Sequence, residues 1–428
     1  MNEWTSLRNS KKYQEQNLKD EEKQREAEHA SKKHRVILVA YLLSALDMSC
    51  LFMQISTIPY LAKNLGLDSI GFGSLQTTFG VLQLIGGPVF GRFSDQFGVR
   101  AALTLSFLSG SLFYLLLGIS TNIPLLFMSR IPSLFMHGLP GAQMVVTNWT
   151  TPTERAGALG KFGLCMGLGM IVGSSLGGFL ATKFGLKFPT FVALTGNLLS
   201  IPAVLVYIPP RTEPDGGGTQ ANPSKASSVF NIREIMRLMR LPGVMPIFTI
   251  KLLSGLPVGL FMIMFAVISI NFFGLDPEQS GYLLSYFGVI QMGMQAFVIG
   301  RLTKRYSDGS LLLVSVAVSS AVGVAMALMG NVFHFCVIAI PLVFALAILA
   351  VITDSILTKS VPSSDTGGML GICASIHPLT RTVGPTIGGI LFQRFGVSSF
   401  GCLHFTINVI LVIYLLRRKY HPKGQKRE

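Results

Sequence analysis

The sequence predicts an all-α polytopic membrane protein, with twelve transmembrane helices arranged as two pseudo-symmetric six-helix bundles. Three observations carry that prediction: charge is depleted from the body of the chain, apolar runs recur at membrane-crossing length, and the two halves are related by a repeat. Of 428 residues, half are hydrophobic and 13% are charged, against about 25% in soluble domains. Residues 1–35 hold 16 of the 55 charges and residues 417–428 hold seven more, leaving 32 across positions 36–416. A soluble body of that size needs far more polar surface. Mean hydropathy is +0.54, and the apolar runs match the roughly 20 residues that cross a hydrocarbon layer of about 30 Å.

The runs fall near 36–60, 72–91, 101–120, 124–148, 158–181 and 188–208, then 244–273, 279–300, 309–329, 332–358, 367–393 and 398–417. An even number puts both termini on one side. That side collects 28 Lys and Arg, the other four (Lys63, Lys183, Lys187 and Arg394), with three inside spans. By the positive-inside bias both termini are expected in the cytoplasm. The basic charge is then a topology signal with weak attraction to anionic lipid, not a nucleic-acid footprint. The sequon Asn148-Trp149-Thr150 falls on the same side, where no glycan is added. A plasma-membrane location is expected, with an intracellular membrane as the alternative.

The organisation that follows is a charged cytoplasmic tail (1–35), a first bundle (36–208), a cytoplasmic linker (209–243), a second bundle (244–417) and a basic tail (418–428). The linker opens on Pro209-Pro210 and a Gly-rich stretch too polar to hold a core. It ends on residues 229–240, where Ile232, Ile235, Met236 and Met239 oppose Arg233, Arg237 and Arg240. That spacing predicts a short amphipathic helix on the leaflet; a protein partner could instead dock on it or on the tails. Five cysteines lie at irregular spacing inside apolar runs, so neither a disulfide framework nor a metal site is expected. Without a phosphate loop, a zinc-protease motif or a nucleophile elbow, neither an enzyme nor a cofactor is expected.

Residues 73–83, Gly-Ser-Leu-Gln-Thr-Thr-Phe-Gly-Val-Leu-Gln, recur 208 positions later as Gly-Tyr-Leu-Leu-Ser-Tyr-Phe-Gly-Val-Ile-Gln. Gly173, Gly177 and Gly178 return 211 positions later as Gly384, Gly388 and Gly389. Six helices have been duplicated in parallel. Two such bundles face each other across one cavity that can open to alternate sides.

Gly91-Arg-Phe-Ser-Asp95-Gln-Phe-Gly98-Val-Arg100, after the second run, resembles the signature loop of the major facilitator superfamily. Gly91 and Gly98 are expected in tight backbone geometry, and Asp95 in a lock with a cation or helix N-terminus. The second half keeps Gly300-Arg301 but has Lys304 at the position of Asp95. Gly169, Gly173, Gly177 and Gly178, with Ser174 between, are similar to the glycine motif of the drug:proton antiporter branch; the second copy is Gly384-Pro385-Thr-Ile-Gly388-Gly389. Glycines four apart also let helices pack closely, so packing and an antiport role are both open. The resemblance implies the major facilitator fold and proton-linked export of lipophilic organic cations.

Ionisable groups at bilayer depth cost about 2.5–3.5 kcal/mol on insertion scales and are functional candidates by default. Asp47 lies about 16 Å along its span at 1.5 Å per residue, with Gln54 on the same face. It could carry a proton or pair with a cationic substrate, or sit in a static ion pair. Arg130 matches the superfamily's intramembrane arginine and could tune a carboxylate or pair structurally. His137, two turns on, could relay protons, though a satisfied core histidine is the commoner case. Arg381, with His377 one turn away, argues for an anionic group in the cavity. Lys251 is expected to snorkel to the interface and Asp354 to cap its helix. With three cations against two carboxylates, the interior does not favour cations alone. The leading expectation is therefore cation/proton exchange of a small molecule. The alternatives are a uniporter or anion carrier around Arg130, Lys251 and Arg381, and a non-transporting scaffold.

Overall fold

The computed structural model describes residues 2–150, 158–210, 232–361, 369, 372–373 and 376–420. Among them every regular element is helical. The first half comprises α1 (Asn2–Asn64), α2 (Ser69–Phe97), α3 (Val99–Gly118), α4 (Ile123–Met128), a 3-10 turn (Ile131–Phe135), α5 (Gly138–Asn148), α6 (Phe162–Phe184) and α7 (Phe188–Tyr207). A short helix, α8 (Ile232–Met239), precedes the second half. That half comprises α9 (Val244–Asn271), α10 (Pro277–Arg305), α11 (Asp308–Ala327), α12 (Val332–Lys359), α13 (Ile376–Phe395) and α14 (Ser398–Tyr420).

Nine spans are long and apolar enough to cross a membrane among the described residues. The other three expected runs correspond to α2, α13 and the α4–α5 segment. α2 and α13 are long, at 29 and 20 residues, but their Thr, Gln, Gly and Arg residues lower the mean hydropathy; of these, Gly73, Thr77 and Gly80 of α2 and Thr386 and Gly389 of α13 meet the other half. The fourth run is not one helix: it breaks into α4, the 3-10 turn and α5. Pro132 and Pro140 each remove a backbone donor and crowd the preceding turn. Gln83 of α2 secures the break, donating from Nε2 to the Met136 carbonyl at 3.2 Å.

Residues 2–35, within the expected charged tail, continue α1 as helix, since no Gly or Pro interrupts positions 2–58. Gly91 lies inside α2 with open space around it, so its backbone is ordinary helix. Gly98 does make the turn, at φ +86°, a region only glycine enters freely. Arg100 beyond it donates to the Leu205 carbonyl; the side chain of Asp95 lies outside the described residues, as does most of the linker. In α8, Leu238 is buried while Met236 is 49% exposed, so its packed face is offset from the expected one.

The duplication reappears in three dimensions. α1 packs along α6 and α3 along α7; α9 packs along α13 and α11 along α14. The halves meet at two crossings, α2 on α13 and α6 on α10. At the first, Gly73 abuts the Pro385 carbonyl; at the second, Gly281 abuts the carbonyl of Ser174. These positions are related by the offsets 208 and 211. So are Gly389 on Ser69 and Gly178 on Pro277. A hydroxyl pair closes each crossing: Thr77–Thr386 at 2.9 Å and Ser285–Ser175 at 2.6 Å. Asp68 and Asp276, again 208 apart, both cap helix N-termini, each accepting a backbone N–H at 2.7 Å. All these contacts lie toward the side opposite the termini, the far side.

Any side chain at position 281 would displace the α6 backbone. Gly281→Val should therefore lower the melting temperature in detergent, at a cost of about 1–3 kcal/mol for overpacking. Gly255→Ala, which meets open space, should leave it unchanged or slightly raised.

Candidate functional site

The break in the fourth span creates a helix N-terminus inside the first bundle. α5 begins at Gly138, and its first backbone N–H groups have no partners within the helix, so partial positive charge gathers there. Asp47 of α1 comes to that point. A Cβ on residue 138 would stand 2.5 Å from Asp47 Oδ2 and 2.9 Å from its Cγ. A larger residue at 138 would require the carboxylate to shift. Asp47 makes no ion pair among the described residues. The arrangement is a half-buried carboxylate resting on a half-helix, free of any locked cation.

Arg130 sits on the other side of the break and is 1% exposed. Its guanidinium lies over the Phe113 ring at 5.2 Å, and Nε and Nη2 have no hydrogen-bond partner among the described residues. It is not paired with Asp47. His137 does not continue an Arg130 helix face, because the 3-10 turn intervenes. Its backbone N–H donates to Ser106 Oγ at 2.8 Å, a ring nitrogen meets the Leu134 carbonyl at 3.2 Å, and Phe90 packs 5.2 Å away. Gln54 is buried and accepts from Thr190 Oγ1 at 3.1 Å, facing α7.

Arg381 is exposed although it lies within α13. A charge uncovered at that depth belongs in an aqueous space, because hydrocarbon would penalise it. Its carbonyl packs against Gly80, where a Cβ would stand 2.8 Å away, so the arginine stands at the α2–α13 crossing. The side chain of His377 lies outside the described residues. Lys251 and Asp354, expected to act separately, form one ion pair between α9 and α12, with the Cys373 thiol beside it. Each residue read alone suggested an end effect; only the packing of α9 on α12 joins them.

The glycine motifs resolve as helix contacts. Gly169, Gly173 and Gly177 pack on α1, Gly384 and Gly388 on α9, and Gly178 and Gly389 across the crossings, with Pro385 offering its carbonyl to Gly73. Gly138 and Tyr60 were not singled out from sequence. A Gly three residues after one half-span and two before Pro140 was the available signal for the first.

The sequence signature of the Major Facilitator Superfamily matches residues 37–344 and 247–428. Solute carrier family 22 member 18 of Rattus norvegicus is 52% identical over 396 residues, covering 91% of this chain and 96% of that one. Solute carrier family 67 member A1 of Homo sapiens is 50% identical over 402 residues, covering 92% and 94%. The class B tetracycline resistance protein of Escherichia coli is 24% identical over 373 residues, covering 84% and 88%. Among solved structures, peptide transporter POT in complex with sulfate superposes with a TM-score of 0.70 at 15% identity, covering 90% and 94%.

Removing one member of the Lys251–Asp354 pair strands the other. Lys251→Met should destabilise by about 1–3 kcal/mol, less than a fully buried pair because the Asp354 side chain is 37% exposed. The exchanged pair Lys251→Asp with Asp354→Lys should recover part of the loss in thermal unfolding.

Proposed function

Because the chain belongs to the major facilitator superfamily, a family of transporters, we propose that it is a secondary active transporter exchanging lipophilic organic cations for protons by alternating access. The observation that carries this reading is Asp47, set against the start of α5 with no ion-paired cation among the described residues. A carboxylate not committed to an internal cation can hold a proton or a substrate cation in turn. Exclusive occupancy makes the process exchange rather than leak. The relation to a tetracycline resistance protein supports export of drug-like solutes.

The halves approach most closely at the far side, where glycines abut backbone of the opposite half, and the α6–α10 contact continues toward the terminus side through the Met292 and Gln295 side chains beside Gly167 and Gly163. The 28-to-4 distribution of Lys and Arg supports placing both termini in the cytoplasm. The plasma membrane is the favoured location.

A second reading has its own observation. Lys251 is neutralised by Asp354, which leaves two arginines against Asp47, and neither Arg130 nor Arg381 is ion-paired among the described residues. That balance suits an anion carrier or uniporter.

Proteoliposomes with an interior pH dye separate the two. Lipophilic amines under a pH gradient should move protons above the protein-free control. Asp47→Asn should cut that flux about tenfold or more, while deleting residues 1–20 should leave it intact. Proton movement indistinguishable from empty vesicles, with several amines and both gradients, would sink the exchange reading. Gly138→Ala should weaken amine-driven flux as well, since its methyl group occupies the place of the Asp47 carboxylate.

A further inference from the structure

A cavity of about 500 Å³ opens on the far side, between the ends of α1 and α2 and those of α9 and α13. It exists because the duplicated halves differ here. On one side of the pseudo-two-fold axis Tyr60 reaches across and donates to the carbonyls of Leu275 and Asp276, at 3.0 and 2.9 Å, alongside the small Ser280. On the other side, 208 positions on, Ile268 replaces Tyr60 and cannot make that bridge, and Phe72 stands where Ser280 would. The seam is filled and clasped on one flank and hollow on the other.

The hollow flank is lined by the apolar Phe72, Val267, Ile270 and Phe392 together with the polar Ser69, Asn271 and Gln393, and it carries two charges, Lys63 and Asp68. The Lys63 ammonium donates to Asn271 Oδ1 at 3.2 Å and has no carboxylate within 4 Å among the described residues. Asp68 uses Oδ1 to cap α2. Both charges line a chamber of mixed polar and apolar walls whose volume lies within the range of small-molecule sites, about 300–1,000 Å³. We propose that this chamber is a second ligand site, distinct from Asp47, for a small zwitterion with an apolar body. Its acid group meets Lys63 and its ammonium meets Asp68.

The walls come from both halves, so the chamber is complete only while the far side is closed. A bound zwitterion therefore stabilises that state and opposes opening, acting from the far side without competing at Asp47.

The test needs no transport substrate. The full chain in lipid nanodiscs is titrated with the zwitterionic dipeptide leucylphenylalanine, and with its N-acetylated and C-amidated forms as single-charge controls. Saturating zwitterion should raise the melting temperature by about 2–4 °C, and each control should give a smaller shift. Lys63→Met and Asp68→Asn should each abolish the shift; asparagine still caps α2, so loss of folding does not confound the second variant. Tyr60→Phe, on the filled flank, should retain it. No saturable shift in the native chain, a shift undiminished in both the Lys63 and Asp68 variants, or equal shifts with all three probes would overturn the assignment. Each outcome is independent of whether Asp47 couples protons.

Discussion

The close approach of backbones at the two crossings between the halves is the constraint on which the rest of the structure depends. Lipid offers no hydrophobic drive to bring helices together, so association rests on van der Waals contact and on hydrogen bonds between helices. Glycine supplies the first: Gly73 and Gly281 each lie against a carbonyl of the opposite half, and Gly178 and Gly389 complete the crossings. Hydroxyls supply the second, in the Thr77–Thr386 and Ser175–Ser285 pairs. Because the two crossings are copies, they place a pivot on each side of the pseudo-two-fold axis. Within each half the same glycine rows seat α6 on α1 and α13 on α9.

That frame gives each intramembrane charge a different status. Lys251 and Asp354 neutralise each other and tie α9 to α12. Arg130 is enclosed with an aromatic ring for company, whereas Arg381 is uncovered beside the α2–α13 crossing. Asp47 alone combines depth, a polar support and freedom from a cation. The support is produced by interrupting a span: a continuous helix at positions 124–148 would present no N-terminus at mid-membrane.

The duplication is informative where it fails as well as where it holds. Asp68 and Asp276 cap equivalent helices in the same way, yet Tyr60 and Ile268 diverge, and with them the packing of the far-side seam. Paired elements are free to specialise once the copies fold as a single chain, since each copy then packs against a fixed, non-identical partner. The far side consequently has one bridged flank and one hollow flank.

Membrane character, span count, the duplication and the glycine rows were all legible in the sequence. They depend on composition, on run length and on spacing along one helix, quantities that the order of residues sets locally. The candidate depth of Asp47, Arg130 and Arg381 was legible for the same reason. Which charges meet was not. The Lys251–Asp354 pair joins positions 103 residues apart, and the seat of Asp47 against Gly138 joins positions from the first and fourth spans. The broken fourth span was signalled by Pro132, Gly138 and Pro140, but hydropathy averages over such a break and reads one continuous run. Local sequence determined which segments enter the membrane; the packing of helices against one another decided which of their polar groups are neutralised, which are enclosed and which remain available.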